Sequence, residues 1–94
     1  MTPENETILL KAIYTPVEGT SIEYAQGAIE KNDLLHHWIK PSVWLVLVDV
    51  PASPEEWQQR LNNAVEPKHG AFRIVLPSAD EKEQVRSGTI AFQR

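Results

Sequence analysis

The stretch Ser42-Val43-Trp44-Leu45-Val46-Leu47-Val48-Asp49-Val50 decides the fold, together with the segment Pro51-Ala52-Ser53-Pro54-Glu55-Glu56-Trp57 that follows it. Seven of the first nine residues are large and apolar with many β-branched side chains, the composition of a strand buried on both faces. The second segment offers a serine N-cap, a proline at the first helical position and two glutamates that suit the positive end of the helix dipole. The sequence therefore predicts a buried strand that leads directly into a helix.

The whole chain has the size and composition of one small domain. Its 94 residues are 41% hydrophobic and 23% charged, which is ordinary for a soluble globular protein with one modest core. No run approaches the ~18 consecutive apolar residues of a membrane span, and the polar, acidic N-terminus does not have the pattern of a signal peptide. We therefore expect a single domain over residues 1–94, located in the cytoplasm and not in a membrane.

Cysteine content and charge exclude several classes of function. The absence of cysteine excludes a disulfide framework, a thiol nucleophile and a thiolate zinc site. The formal charge of −4 argues against a protein that coats nucleic acid. A local basic strip with a tryptophan for base stacking stays open as an alternative. Its members would be Lys11, Lys40, Lys68, Arg73 and the histidines, with Trp38 or Trp44 to stack a base.

Strand and helix patterns alternate along the chain. The predicted strands cover 7–15, 34–39, 43–50 and 71–76, and the predicted helices run over 21–31 and from Pro54 to a stop at Pro67. A further helical segment of two or three turns at most is predicted between Ser78 and Gly88, and a short terminal strand over 89–92.

Local signals predict the helix ends. Thr20 and Glu23 match the capping-box pattern at the start of the first helix, and Ser78 and Glu81 match it again near the C-terminus. Asn32 is expected to end the first helix in a left-handed conformation.

The order strand, helix, strand, strand, helix, strand predicts an α+β fold of the ferredoxin-like split βαβ type. In that fold two helices cover one face of a four-stranded antiparallel sheet, here with a short C-terminal helical turn and strand appended. The alternative is a small parallel α/β sheet, which would require residues 34–39 to belong to the first helix.

The strand that begins at Val43 is apolar on both sides. Alternation divides its side chains into two sets, Val43, Leu45 and Leu47 on one face and Trp44, Val46 and Val48 on the other. Because helices cover only one face, the second is either shielded by the C-terminal segment or meets another subunit. We expect a homodimer, with the set that contains the tryptophan at the interface.

Few residues could carry chemistry. His36, His37 and His69 are the metal-capable nitrogens, but neighbours on a strand point to opposite faces, so we predict no metal site. We assign no catalytic residue, although Asp49 is a candidate because it is an acid at the end of a buried strand. The sequence has no nucleophile elbow and no glycine-rich phosphate loop, so no cofactor is expected.

Three segments resemble SinR-like relatives of the small CRISPR-associated ferredoxin-like endonuclease and adaptation-scaffold family. They are Leu34-Leu35-His36-His37-Trp38, Ser42-Val43-Trp44-Leu45-Val46 and Ser53-Pro54-Glu55-Glu56-Trp57, within a resemblance that spans roughly residues 7–77. It implies the ferredoxin-like fold and a symmetric dimer. Catalytic members of that family carry an aspartate at the end of the first strand, where this chain has Ile13-Tyr14-Thr15-Pro16, so nuclease activity is not implied.

Two functional hypotheses follow. The first is a non-enzymatic dimeric interaction module, a bacterial accessory protein of a mobile-element, defence or toxin–antitoxin system with a protein partner. The second is a small metal-dependent nuclease or phosphodiesterase that uses Asp49 or the histidines. The lack of catalytic signatures favours the first.

Overall fold

Four strands and three helices form the described part of the chain. The computed structural model describes residues 7–49, with the backbone alone at Asp49, and residues 53–93. The elements in chain order are β1 (Thr7–Pro16), α1 (Glu23–Lys31), β2 (Leu35–Lys40), β3 (Val43–Asp49), α2 (Pro54–Asn63), β4 (Gly70–Val75) and α3 (Ala79–Arg86).

The strands form one sheet in the order β2-β3-β1-β4, and every neighbouring pair is antiparallel. The predicted α+β class with a four-stranded antiparallel sheet is therefore confirmed, and the parallel alternative is not adopted by this chain. The predicted last residue of β3, Val50, lies outside the described residues.

One face of the sheet packs against α1 and α2 to form the core. The buried strand residues on this face alternate along β1, β3 and β4, namely Leu10, Ala12, Tyr14, Trp44, Val46, Val48, Phe72 and Ile74. The buried helix residues that meet them are Ala25, Ala28, Ile29, Trp57 and Leu61. Removal of this apolar surface from water is the main force that holds the two layers together.

Helix α1 begins without the capping box that the sequence predicted at Thr20. The Thr20 hydroxyl bonds instead to the carbonyl oxygens of Val17 and His69, so it ties the loop before α1 to the loop before β4. The serine hydroxyl of Ser21 accepts the Glu23 N–H at 3.0 Å in its place. The capping-box prediction is wrong because a long-range contact takes the threonine side chain.

The end of α1 differs from the prediction by one residue. Asn32 has an ordinary φ of −87°, and its side-chain amide donates to the Ala28 carbonyl oxygen at 2.9 Å. Asp33 adopts the left-handed conformation, at φ 55°. Aspartate tolerates this region better than most residues, so the turn is still made at low cost.

The N-termini of α2 and α3 follow the sequence signals. Ser53 Oγ accepts the Glu56 N–H at 3.2 Å. Ser78 and Glu81 form the full capping box, with reciprocal bonds of 3.2 and 2.8 Å. Helix α2 ends at Asn63, before the predicted stop at Pro67.

The C-terminal residues lie over the second face of the sheet. Glu81 of α3 forms an ion pair with Lys11 of β1 at 3.0 Å, and His37 Nδ1 of β2 donates to the Ala91 carbonyl oxygen at 3.1 Å. Both strand residues belong to the face opposite α1 and α2, and Leu45 on that face is fully buried. The C-terminal segment therefore shields much of the second apolar face, one of the two alternatives that the sequence left open.

The ion pair between Lys11 and Glu81 makes this cover sensitive to acid. Burial opposes ionisation of Glu81, but hydrogen bonds from Ser78 and Lys11 outweigh it and hold the pKa of the carboxyl below its usual value. Because the pKa of Glu81 is lower in the folded state, its ionised carboxylate stabilises the fold at pH values above the unfolded-state pKa. This stabilisation is lost as the pH falls through the folded-state pKa.

We therefore expect Glu81→Gln to be less stable than the wild type at about pH 7 and to differ from it less at about pH 3. Urea unfolding at the two pH values measures the difference in the free energy of unfolding. The exposed Glu55 serves as the control position, and Glu55→Gln is expected to show a smaller pH-dependent difference. An equal difference at both pH values for Glu81→Gln would contradict this account.

Side chains of α2 occupy the outer edge of β4. The Phe72 N–H donates to Asn62 Oδ1 at 2.6 Å, and the Ile74 N–H donates to Gln58 Oε1 at 2.9 Å. Asn62 and Gln58 are four residues apart and therefore lie on the same side of the helix. Their amides replace a neighbouring strand and disfavour edge-to-edge association there.

The outer edge of β2 is partly occupied by the C-terminus. His36 and Gln93 exchange two backbone hydrogen bonds of 2.8 and 2.9 Å. The predicted terminal strand over 89–92 is wrong, since only this isolated bridge at Gln93 forms. Between Trp38 and Lys40 the pairing of β2 with β3 shifts register, and such bulges also discourage strand addition.

Candidate binding groove

A groove opens between the start of α1 and the outer strand β2. Its volume is about 280 Å³, and its lining residues are Ile22, Glu23, Gln26, Trp38, Trp44 and Gln93. The Trp38 side chain is 52% exposed at this groove, whereas Trp44 is buried in the core. A large aromatic side chain that is half in solvent, beside a concave surface, is a common feature of binding sites.

The floor of the groove is a set of hydrogen bonds centred on Gln26. Trp44 Nε1 donates to Gln26 Oε1 at 3.1 Å, and Gln26 Nε2 donates to Glu30 Oε2 and to His36 Nε2, each at 2.9 Å. His36 Nδ1 lies 2.9 Å from the Leu34 carbonyl oxygen, which can only accept, so the proton is on Nδ1 and Nε2 carries the lone pair.

This network fixes the shape of the groove. An indole N–H can only donate, so the Gln26 amide oxygen must face Trp44 and its amino group must face His36. The network joins α1 to both β2 and β3, and each donor in it has a partner. A groove that is ordered before binding loses little conformational entropy when a ligand enters.

The helix side of the groove is acidic. Glu23 and Glu30 stand three residues before and four residues after Gln26, which places all three on one side of α1. Within the described ranges, neither glutamate takes part in an ion pair. Among the described residues, the groove lining contains no lysine or arginine. The local charge therefore favours a cation over an anion.

A second groove, of about 370 Å³, lies where α1 and α2 end. The rings of Tyr24 and His69 stack beside it with centroids 3.7 Å apart, and its charged lining residues include Lys31 and Glu66. Glu66 also pairs with Lys68 at 3.1 Å, and this pair lowers the pKa of the Glu66 carboxyl. Since charges of both signs meet here, this groove has less electrostatic selectivity than the first.

The three histidines of the sequence hypothesis lie apart. His36 is buried in the network described above, and His37 faces the other side of the sheet, where its ring meets the Phe92 ring edge-on at 6.3 Å. His69 stacks on Tyr24 at the second groove. Among the side chains that the structure describes, which exclude that of Asp49, no three histidine or acidic groups come together in a way that could hold a metal ion.

Asp49 lies away from both tryptophans of the groove. Its backbone pairs with Thr7 at the end of the sheet where β1 begins, five positions along β3 from Trp44. At about 3.4 Å per residue this separates the two positions by roughly 17 Å along the strand. The backbone of Asp49 therefore lies far along β3 from the position that contributes Trp44 to the groove.

The residues expected at a subunit interface lie in the core instead. Trp44, Val46 and Val48 are 2%, 0% and 1% exposed, beneath α1 and α2. Alternation divides the β3 side chains correctly, but it does not say which set the helices cover. The face that remains for a partner is the one that carries Leu47.

Sequence reasoning missed the residues that make the groove. Gln26 belongs to no motif, and its role depends on partners in β2 and β3 that are distant in sequence. The one local signal was the polar stripe of Glu23, Gln26 and Glu30 beside the apolar stripe of α1.

Comparisons with known proteins found no matching family model, no matching curated protein and no matching solved structure. In the part of the chain that the structure describes, no helix has the length and apolar character needed to cross a membrane.

Proposed function

We propose that this chain is a non-enzymatic dimeric interaction module with a ferredoxin-like split βαβ fold. The sheet order β2-β3-β1-β4, with α1 between β1 and β2 and α2 between β3 and β4, supports this fold. The resemblance to SinR-like relatives of the CRISPR-associated family implies the same fold. The observation that carries the function is the ordered groove beside the half-exposed Trp38.

The positions of the candidate chemical groups support a non-enzymatic role. Metal-assisted hydrolysis of phosphodiesters needs several carboxylates or histidines around one or two ions. Here the ring nitrogens of His36 are both engaged in hydrogen bonds, and His37, His69 and Asp49 belong to other parts of the molecule. No contact among the described residues favours the nuclease alternative. An accessory role in a cytoplasmic mobile-element, defence or toxin–antitoxin system is the setting that the resemblance suggests.

A row of leucines on the second face is the surface that we assign to the homodimer. Leu9, Leu47 and Leu35 lie side by side on β1, β3 and β2. Each is only half-buried, because the contacts of the C-terminal segment are with the next row of the sheet, at Lys11 and His37. When a two-fold axis relates two copies of the chain, this small apolar row packs against the same row of the other copy and both are removed from water.

Light scattering coupled to size exclusion tests the dimer. At micromolar concentration we expect a mass roughly twice the 10.6 kDa of one chain. Leu47→Lys is expected to give the monomer, because a charge on each side of the axis opposes the apolar contact. The control is Leu76→Lys, at a leucine that is 72% exposed after β4, and it is expected to remain dimeric.

Circular dichroism establishes that both variants are folded, and Leu35→Lys provides a second disruptive variant in the same row. A wild-type mass of one chain would contradict the dimer. Folded Leu47→Lys and Leu35→Lys variants that both remain dimeric would contradict the assigned surface.

A further inference from the structure

We propose that the groove between α1 and β2 binds the guanidinium group of an arginine side chain from a partner protein. This inference rests on the proposed function, since it takes the groove as the contact surface of an interaction module. Three independent properties of the groove carry it: its aromatic wall, its unpaired carboxylates and its balance of hydrogen-bond donors and acceptors.

The aromatic wall is the exposed part of Trp38. Guanidinium groups bind over the face of tryptophan through the negative charge of the ring face and through stacking of the two planar groups. The same chain makes this contact elsewhere, since the Arg60 guanidinium carbon lies 4.6 Å from the centre of the Trp57 ring. Trp38, which is 52% exposed, leaves part of its surface open to a cation from outside.

The carboxylates of the groove have no cationic partner within the described chain. Glu56, Glu66, Glu81 and Glu83 all form ion pairs with lysine or arginine. Glu23, which lines the groove, does not, and neither does Glu30 behind Gln26. A carboxylate beside an aromatic ring can accept two N–H groups of one guanidinium while the ring contacts its face.

The hydrogen-bond inventory of the floor selects a donor over an acceptor. The indole N–H of Trp44 and the amino group of Gln26 are already used within the network. Gln26 Oε1 accepts the hydrogen bond from Trp44 and keeps a second lone pair, and the Glu23 carboxylate has acceptor oxygens only. The network of Gln26, Trp44 and His36 thus offers an acceptor and no free donor, and the N–H groups that remain in the lining are those of Trp38 and Gln93. A guanidinium, with five donors and no acceptor, suits the acceptors of Gln26 and Glu23.

The test is an NMR titration of the ¹⁵N-labelled full chain with a capped pentapeptide that has one arginine between two pairs of glycines. The three tryptophan side chains give three indole N–H signals. We expect the signals of Trp38, Trp44 and the Gln26 side-chain amide to shift, and that of Trp57 to stay in place. Replacing the arginine by the uncharged isostere citrulline is expected to weaken binding by about fivefold or more.

Two glutamates in equivalent helix positions provide the matched variants. Glu23 and Glu55 both lie in the first turn of a helix and are both exposed, but only Glu23 lines the groove. Glu23→Gln is expected to raise the dissociation constant of the arginine peptide by about threefold to tenfold, and Glu55→Gln to leave it unchanged. Trp38→Leu is expected to weaken binding as well.

Several results would overturn the proposal. Equal affinity for the citrulline peptide, or equal effects of Glu23→Gln and Glu55→Gln, would show that general charge attraction is being measured. If a peptide with lysine in place of arginine bound with equal affinity, the groove would be a general cation site and the proposed preference for arginine would be wrong. The mass of the wild type and of Glu23→Gln is measured in the same samples, so a failure of peptide binding is distinguished from a failure of the dimer.

Discussion

Replacing Trp57 by alanine is expected to lower the free energy of unfolding by about 3–5 kcal/mol. Trp57 is 7% exposed and belongs to the core cluster between α2 and the sheet. Alanine would leave a large cavity there and would also remove the ring that Arg60 covers. Among the described residues the indole Nε1 has no hydrogen-bond partner, so we expect the loss to come from packing and not from a broken polar contact.

Chemical denaturation followed by circular dichroism measures the effect. Trp57→Phe is expected to recover most of the stability, because it restores the ring without the unpartnered N–H. Trp38→Ala is the matched control at an exposed tryptophan, and its loss is expected to be smaller. If Trp57→Ala were as stable as the wild type, the assignment of this helix face to the core would be wrong.

Gly70→Ala is expected to lower the free energy of unfolding by about 2–6 kcal/mol. Backbone strain contributes about 1–3 kcal/mol of this loss and overpacking of the added methyl group about 1–3 kcal/mol. Gly70 has φ 153°, a conformation that side chains disfavour. A Cβ at this position would lie 2.5 Å from the Tyr14 ring carbon Cζ and its hydroxyl oxygen, and 2.6 Å from the Thr15 carbonyl oxygen. Tyr14 is 1% exposed and its ring centroid lies 5.0 Å from that of Phe72, so a shift of the ring would disturb core packing.

Gly88→Ala separates the two contributions to this loss. Gly88 also has a positive φ, of 81°, but nothing lies within 4 Å of its would-be Cβ. The Gly88→Ala variant is therefore expected to lose only the contribution from backbone strain, about 1 kcal/mol of the free energy of unfolding. Thermal or urea unfolding of the two variants compares them directly. Equal losses would contradict the close approach of Tyr14 to Gly70.

The Tyr14 hydroxyl, which a Cβ at position 70 would contact, makes no hydrogen bond among the described residues. Its oxygen is buried without a hydrogen-bond partner in the described part of the chain, and burial, with a smaller contribution from Tyr24, raises the pKa of this hydroxyl. The group stays neutral at ordinary pH, and its removal in Tyr14→Phe eliminates a buried polar atom that makes no bond.

The local signals of the sequence were sufficient for the four strands of the sheet, the three helices and two of the caps, but not for the C-terminal residues 89–92. Serine at positions 53 and 78 satisfies backbone N–H groups within three residues, so no distant contact is needed to predict it. The alternation of β3 likewise follows from strand geometry alone. The class of the fold follows from these elements and their order.

Contacts between distant parts of the chain account for what the sequence did not predict. Thr20 leaves its expected capping role because the loop before β4 lies close to it, and Trp44 belongs to the core because α1 packs on its side of the sheet. The groove depends on Gln26 reaching both Trp44 and His36, which are 18 and 10 residues away. No local pattern encodes those distances.

The proposed non-enzymatic role is tested most directly by incubating the purified wild type and Asp49→Asn with single- and double-stranded RNA and DNA. Magnesium, manganese and zinc are supplied in turn, because phosphodiester hydrolysis of this kind requires a divalent ion held by converging ligands. We expect no cleavage by either protein above that of the buffer. Metal-dependent cleavage by the wild type that Asp49→Asn lacks would contradict the proposed function and would identify Asp49 as catalytic.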